Sequence, residues 1–262
     1  MQFADQIFNS IEIPSPPKKI ISLVPSQTEL LYDLGLENNI IGITKFCIHP
    51  EHLKKTKQII GGTKNLNLEK IKQLNPDLII ANKEENEFEQ INDLSKKFPV
   101  FVSDVKNLDS AFDMIRLIGR ITNTEIKAED LINTIVSKRT ESSSIPLRSC
   151  IYLIWKDPYL TVGGDTFINA MLKEAGFENC YSSSERYPET NFDEIREKEP
   201  EFLFLSSEPY PFNENHVQEF QKILTKTKVV CVDGEMFSWY GSRIQYAFPY
   251  FNKLRNLISP QI

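Results

Sequence analysis

The chain has 262 residues, 40% of them hydrophobic, and carries 30 basic against 36 acidic residues for a formal net charge of -6. Such a chain can bury a large core, which excludes disordered and fibrous classes. It has no basic block to attract nucleic acid or an anionic membrane surface, so neither is expected as a partner.

No apolar run approaches the roughly 18 residues needed to cross a bilayer. The opening MQFADQIFNS has neither a basic n-region nor an apolar h-region, so read literally the chain is not exported. Cys47, Cys150, Cys180 and Cys231 lie far apart without a CxxC pair, which argues against a zinc ribbon or a disulfide framework. Cys150 and Cys231 read as small hydrophobes in or beside strands.

The first strong element is KKIISLVPSQTELLYDLGL. Its apolar run 20–24 predicts a buried strand stopped by Pro25. Ser26 is a candidate helix cap with Glu29 completing a capping box, Leu30, Leu31 and Leu34 form one helical face, and Gly35 ends the helix. Residues 40–44 predict a second strand, and the loop KFCIHPEH, 45–52, leaves its carboxyl end. Ligands gather beyond the carboxyl ends of strands in open α/β sheets, so this loop is expected to be functional surface.

The loop holds Cys47, His49 and His52, two of the chain's three histidines among them. Thiolate and imidazole suit zinc or iron, which makes Cys47 and His49 candidate metal ligands. Pro50 is expected to begin a helix that carries His52 away. A loop making ordinary polar contacts is the other reading.

Further strands are predicted at 78–81 and 100–102, and helices at 68–74, 87–97 and 110–121. Residues 1–122 therefore read as a β/α lobe. A helical connector with one apolar side follows over 123–144. From 145 to 262 the alternation resumes as a second β/α lobe, with strands at 150–155, 202–205 and 229–232 and helices at 166–175 and 216–224.

An internal repeat supports the division. NLEKIKQLNPDLII, 67–80, aligns without gaps on NFDEIREKEPEFLF, 191–204, matching Asn67 with Asn191, Ile71 with Ile195, Pro76 with Pro200 and Asp77 with Glu201. Each copy reads as short helix, proline turn and buried strand.

Several blocks in order resemble the helical-backbone periplasmic binding proteins, the substrate receptors of ABC importers for cobalamin, ferric siderophores and haem. These are DQIFNSIEIPSPPKKIISLVPSQTELLYDLGL, GGTKNLNLEKIKQLNPDLIIAN, WKDPYLTVGGDTFINAMLKEAGFENCY and VDGEMFSWYGSRI. The cobalamin-binding branch is the most similar. The resemblance implies two Rossmann-like lobes joined by one long backbone helix, with a ligand cleft between them, in a monomeric periplasmic receptor without an intrinsic cofactor.

The ligand so implied is a corrinoid, a haem or an iron chelate, and the implied partner is the ABC transporter permease. The carried-over ligand contacts are Pro25, Ser26, Phe46, Asn82, Trp155, Tyr159, Leu160, Tyr187, Glu235 and Trp239. The carried-over docking carboxylates, one per lobe, are Glu69 and Asp193, the second an Asp where the family usually has Glu.

No enzyme motif competes with this reading: there is no GxSxG, P-loop or GxGxxG. Glu235, Ser238, Tyr240 and Arg243 could form an acid–base cluster, but the simpler expectation is that Arg243 pairs with an acid while the aromatics pack. A cytoplasmic corrinoid- or metabolite-binding protein, or an enzyme reusing the fold, is the alternative function.

Overall fold

A computed structural model describes residues 1–13, 16–139 and 146–258. The chain divides into two compact units, the first comprising Met1–Val105, Asp109–Val136 and Tyr240–Arg243 and the second Lys106–Leu108, Ser137–Trp239 and Ile244 onward.

The first unit opens with an antiparallel hairpin, β1 (Gln2–Ala4) and β2 (Ser10–Glu12). Then come β3 (Ile20–Ser22), α1 (Pro25–Asp33), a 3-10 turn at Glu37–Asn39, β4 (Ile40–Ile43), α2 (Leu53–Thr56) and β5 (Gln58–Ile59). They are followed by α3 (Leu68–Leu74), β6 (Leu78–Asn82), α4 (Phe88–Ser95), β7 (Val100–Ser103), α5 (Leu108–Thr122) and α6 (Glu125–Lys138). Strands β5, β4, β3, β6 and β7 lie side by side in that order, all parallel. A parallel strand covered on both faces must be apolar along its whole length, and every residue of β3 and β6 is buried. Ile21, Ile71, Ile79, Leu94 and Val102 share one core beneath this sheet.

One expectation changes here. Helix α1 starts at Pro25, whose fixed φ suits the first helical position, with Val24 as its cap and no side-chain capping bond. Ser26 therefore lies inside the first turn, and no capping box forms with Glu29. The expected connector is helical over Glu125–Lys138, and residues 140–144 of it lie outside the described residues.

The second unit contains β8 (Arg148–Leu153), β9 (Tyr159–Leu160), α7 (Phe167–Glu174), β10 (Phe177–Asn179), β11 (Glu189–Thr190) and α8 (Phe192–Lys198). It continues with β12 (Phe202–Ser206), α9 (Glu214–Ile223), β13 (Lys228–Val232), α10 (Glu235–Ser238) and α11 (Ile244–Ile258). Its parallel sheet runs β10, β8, β12, β13, and β9 pairs with β11 separately. Tyr159, Phe192 and Phe220 meet edge to face at 5.1 to 5.5 Å in its core, a favourable arrangement for aromatic quadrupoles.

The sequence repeat recurs in three dimensions. Helices α3 and α8 have seven residues each, are capped by the side chains of Asn67 and Asn191, and end on a left-handed residue, Asn75 or Glu199. A proline and a buried parallel strand follow in both units. Asn191 accepts hydrogen bonds from the backbone N–H of both Asp193 and Glu194 at 3.0 Å. Asn191→Ala is expected to cost about 1 kcal/mol. That would lower the melting temperature by about 2–4 °C, measured by circular dichroism.

Candidate functional site

In the first unit, the carboxyl ends of β3, β4 and β6 carry Pro25, Phe46 and Asn82. Pro25 is half-buried and Ser26 is buried behind it. Phe46 is 50% exposed, with the Lys45 ammonium 5.0 Å from its ring centroid. A loop phenyl ring so placed can meet a flat apolar ligand.

Asn82 cannot do the same. It is buried, its amide donates to the Ser103 hydroxyl at 3.0 Å and carbonyl at 3.2 Å, and its Oδ1 accepts from the N–H of Glu84 and Glu85. Its polar atoms hold the turn after β6 together.

The loop residues Cys47, His49 and His52 do not converge. Cys47 is fully buried, its sulfur 3.1 Å from the Thr28 hydroxyl and 3.3 Å from that of Thr44, and burial pushes its thiol pKa up. A thiol held protonated in this way is a poor metal ligand. His52 points to Glu37, at 2.8 Å, and packs edge-on against Tyr32. His49 is half-buried, close enough for its charge to act on Glu29. Among the described residues no group of three or more His, Cys, Asp or Glu side chains is placed to hold a metal ion.

Arg243 does pair with an acid: its Nε and Nη2 reach the two carboxylate oxygens of Glu29 at 2.8 and 2.5 Å. Burial pushes the Glu29 carboxyl above its ordinary value, Arg243 opposes this, and neighbouring Asp33 adds to the rise.

In the second unit Trp155 follows β8, 40% exposed, its ring edge-on to Tyr210 at 5.8 Å. Tyr187 is likewise exposed, with the Arg186 guanidinium 5.7 Å from its centroid. Tyr159 and Leu160 are half-buried in β9, Tyr159 within the aromatic core. Glu235 begins α10, half-buried, its backbone N–H bonded to the Asp233 carboxylate.

Trp239 is only 8% exposed, and its indole N–H donates to Glu208 Oε1 at 2.9 Å. The Ser238 hydroxyl reaches the same oxygen at 2.6 Å. Gly234 makes room for this group, since a Cβ there would stand 2.6 Å from Glu208 Cγ. The sequence reading misses Glu208, although an acid just past the apolar run 202–205, ahead of Pro209, is the signal of a carboxylate at a strand's carboxyl end.

Glu69 and Asp193 occupy equivalent positions in α3 and α8. Both side chains are exposed, and each pairs at 2.8 Å with a cation three residues on, Lys72 or Arg196. The Lys72 ammonium holds the Glu69 carboxyl below its ordinary value.

Burial pushes the Glu208 carboxyl above its usual 4.5, the Ser238 and Trp239 donors lower it, and the nearby Glu235 and Asp233 charges raise it. An acid with a raised folded-state pKa contributes stability below its unfolded value that is lost as pH rises through the folded value. Glu208→Gln keeps an acceptor for Trp239 without the charge. Its melting temperature relative to the parent should therefore climb as pH rises from 4 through 7, read by thermal unfolding across that range; a flat difference would refute the assignment.

These features can be compared with known proteins. The family model for periplasmic binding proteins matches residues 20–227. An uncharacterized ABC transporter substrate-binding lipoprotein of Bacillus subtilis (strain 168), YvrC, is 31% identical over 183 residues, 65% of this chain and 57% of that protein. The vitamin B12-binding protein of Vibrio vulnificus (strain CMCP6) is 28% identical over 198 residues, 73% of this chain and 72% of that protein. The crystal structure of the periplasmic vitamin B12 binding protein BtuF of Vibrio cholerae superposes with a TM-score of 0.82 at 22% identity, covering 95% of this chain and 100% of that one, a likeness of fold. With the family model matched over residues 20–227, well over half of its length, the chain belongs to the periplasmic binding protein family.

Proposed function

We propose that this chain is the non-catalytic substrate-binding component of an ABC importer, working outside the cytoplasmic membrane on a large flat ligand: a corrinoid, a haem or an iron chelate. Among these a corrinoid of the cobalamin type is favoured. The observation that carries the reading is the likeness to vitamin B12-binding relatives over nearly three-quarters of the chain. The exposed aromatics support it, because Phe46, Trp155 and Tyr187 offer apolar faces at loops after or beside strands. We assign these three as the principal ligand contacts, with Pro25, Tyr159, Leu160 and Glu235 as lesser ones. Ser26 and Trp239 act from behind as support.

A ligand that binds only the folded state stabilises it by mass action, about 2.7 kcal/mol at a hundredfold excess over Kd. Cyanocobalamin, cobinamide, haemin and a ferric tris-catecholate are therefore compared by thermal shift and by visible absorbance. A rise of several degrees with the corrinoids is expected. Phe46→Ala and Trp155→Ala should each weaken corrinoid binding about tenfold without lowering the melting temperature of the free protein, since burying an aromatic face is worth on the order of 1.5 kcal/mol. No shift with any of the four ligands overturns the proposal.

For the partner, we assign Glu69 and Asp193 as the carboxylates that dock on the permease. Their duplicated geometry supports this, because one helix–turn–strand unit presents an acid at the same exposed position in each copy. Glu69→Lys with Asp193→Lys is expected to abolish ligand-dependent stimulation of the reconstituted transporter's ATPase while leaving corrinoid affinity unchanged. Undiminished stimulation would remove both residues from the interface.

A further inference from the structure

A groove of about 770 Å3 in the first unit runs between the β1–β2 hairpin, helix α4 and strand β7, the edge of the five-stranded sheet. Ile7, Ile11, Ile91, Phe98, Val100 and Val102 form its apolar part, and polar side chains, Asn86, Asn92 and Ser95 among them, line nearly as much of it. Three ammonium groups border it, on Lys83, Lys96 and Lys97, against the single carboxylate of Glu12, although the chain as a whole carries a net charge of -6. Lys83 and Lys96 each have an aspartate within reach, Asp104 at 2.8 Å and Asp93 at 3.5 Å, and neither aspartate lines the groove.

Buried hydrogen bonds hold the groove open. Asp5 is buried; its Oδ1 accepts from the N–H of Ile7 and Asn9, and its Oδ2 from Val102 N–H at 3.3 Å. Gln6 N–H donates to the Val102 carbonyl, and the Gln6 side chain spans the Ser110 carbonyl and the Asp104 N–H. The turn between β1 and β2 is thus clamped onto the middle of β7, satisfying both outward backbone groups of Val102.

Backbone groups of a strand alternate between its two edges. Pro99 and Ser103 give their carbonyls to the β6 side, so Val100, like Val102, faces outward. Its N–H and C=O are directed to the groove, where the hairpin clamp does not extend.

We propose that this groove binds a single-chain amphipathic organic anion, its hydrocarbon part against the apolar walls and its carboxylate or sulfonate at Lys96 and Lys97, within reach of the Val100 amide. The volume suits such a ligand, since small-molecule sites usually run to about 300–1,000 Å3, and the groove offers both an apolar part and polar groups to set orientation. The excess of ammonium groups selects an anion over a neutral or cationic head.

The test uses the full chain with 8-anilinonaphthalene-1-sulfonate as fluorescent probe, displaced by decanoate, decanol or decyltrimethylammonium. Decanoate should displace the probe at concentrations about fivefold or more below decanol, a ratio that one or two exposed ion pairs supply, and the cation should be weakest. Lys96→Glu with Lys97→Glu should remove the preference for decanoate. Asn92→Trp, an exposed helix position lining the groove, should block the probe, and neither change should lower the melting temperature. The proposal is overturned by absence of probe binding, by equal displacement by the cation, or by binding that neither variant alters. It is also overturned if the chain sediments with anionic phospholipid vesicles and decanoate does not compete, which would make the groove a membrane contact.

Discussion

A carboxylate taken out of water costs several kcal/mol unless a cation answers it closely, and Glu29 on α1 is answered by the two-pronged guanidinium of Arg243. The two residues are 214 positions apart in sequence, so the bond closes nearly the whole chain. It also accounts for an otherwise odd partition: Tyr240–Arg243 belongs to the first unit although the residues on either side belong to the second. Gly241 permits the approach. Its φ of 139° is a conformation side chains disfavour, and a Cβ there would stand 3.1 Å from the Ser26 carbonyl oxygen. Removing one partner would leave the other charged and buried, so this pair acts less as a source of stability than as a condition on where residues 240–243 lie.

Within each unit a second constraint repeats. Parallel strands need a return crossover, and a seven-residue helix ending on a left-handed residue before proline brings the chain back in few residues. Asn75 and Glu199 both take that left-handed conformation. A short helix benefits from its asparagine cap and from an acid at its positive end. Glu69 and Asp193 meet the second need and remain in solvent. The structural role and the docking role proposed for them ask for the same residue type at the same position, and their difference of one methylene leaves the exposed pair with a following cation intact.

This geometry explains what was legible in the sequence. Buried parallel strands are continuous apolar runs, so β3, β6 and β12 stand out, and α3 has the bounds that its periodicity predicts. The two-residue strands β5, β9 and β11 are too short to show any period. Helix α11 is masked by Pro249 even though Ala247, Phe248, Phe251, Leu254 and Ile258 recur on one face. The site was less legible because sequence shows donors and acceptors without their partners. Asn82 looks available until Ser103, 21 residues on, takes its amide, and Trp239 until Glu208, 31 residues earlier, takes its indole N–H. Cys47 resembles a ligand until Thr28 and Thr44 surround its sulfur.

What folding has already engaged cannot also meet a ligand without loss, and that sorts the expected contacts. Asn82 and Trp239 have their polar atoms in internal bonds, and Tyr159 is shared with Phe192 and Phe220. Phe46, Trp155 and Tyr187 remain partly exposed. A single exposed aromatic is ordinary on any protein surface and indicates nothing alone. Position makes the difference: Phe46 and Trp155 lie just past the carboxyl ends of β4 and β8, where loops from adjacent parallel strands gather. Apolar area left in water contributes nothing to folding, so whatever covers the exposed part of these rings gains the hydrophobic benefit of that part.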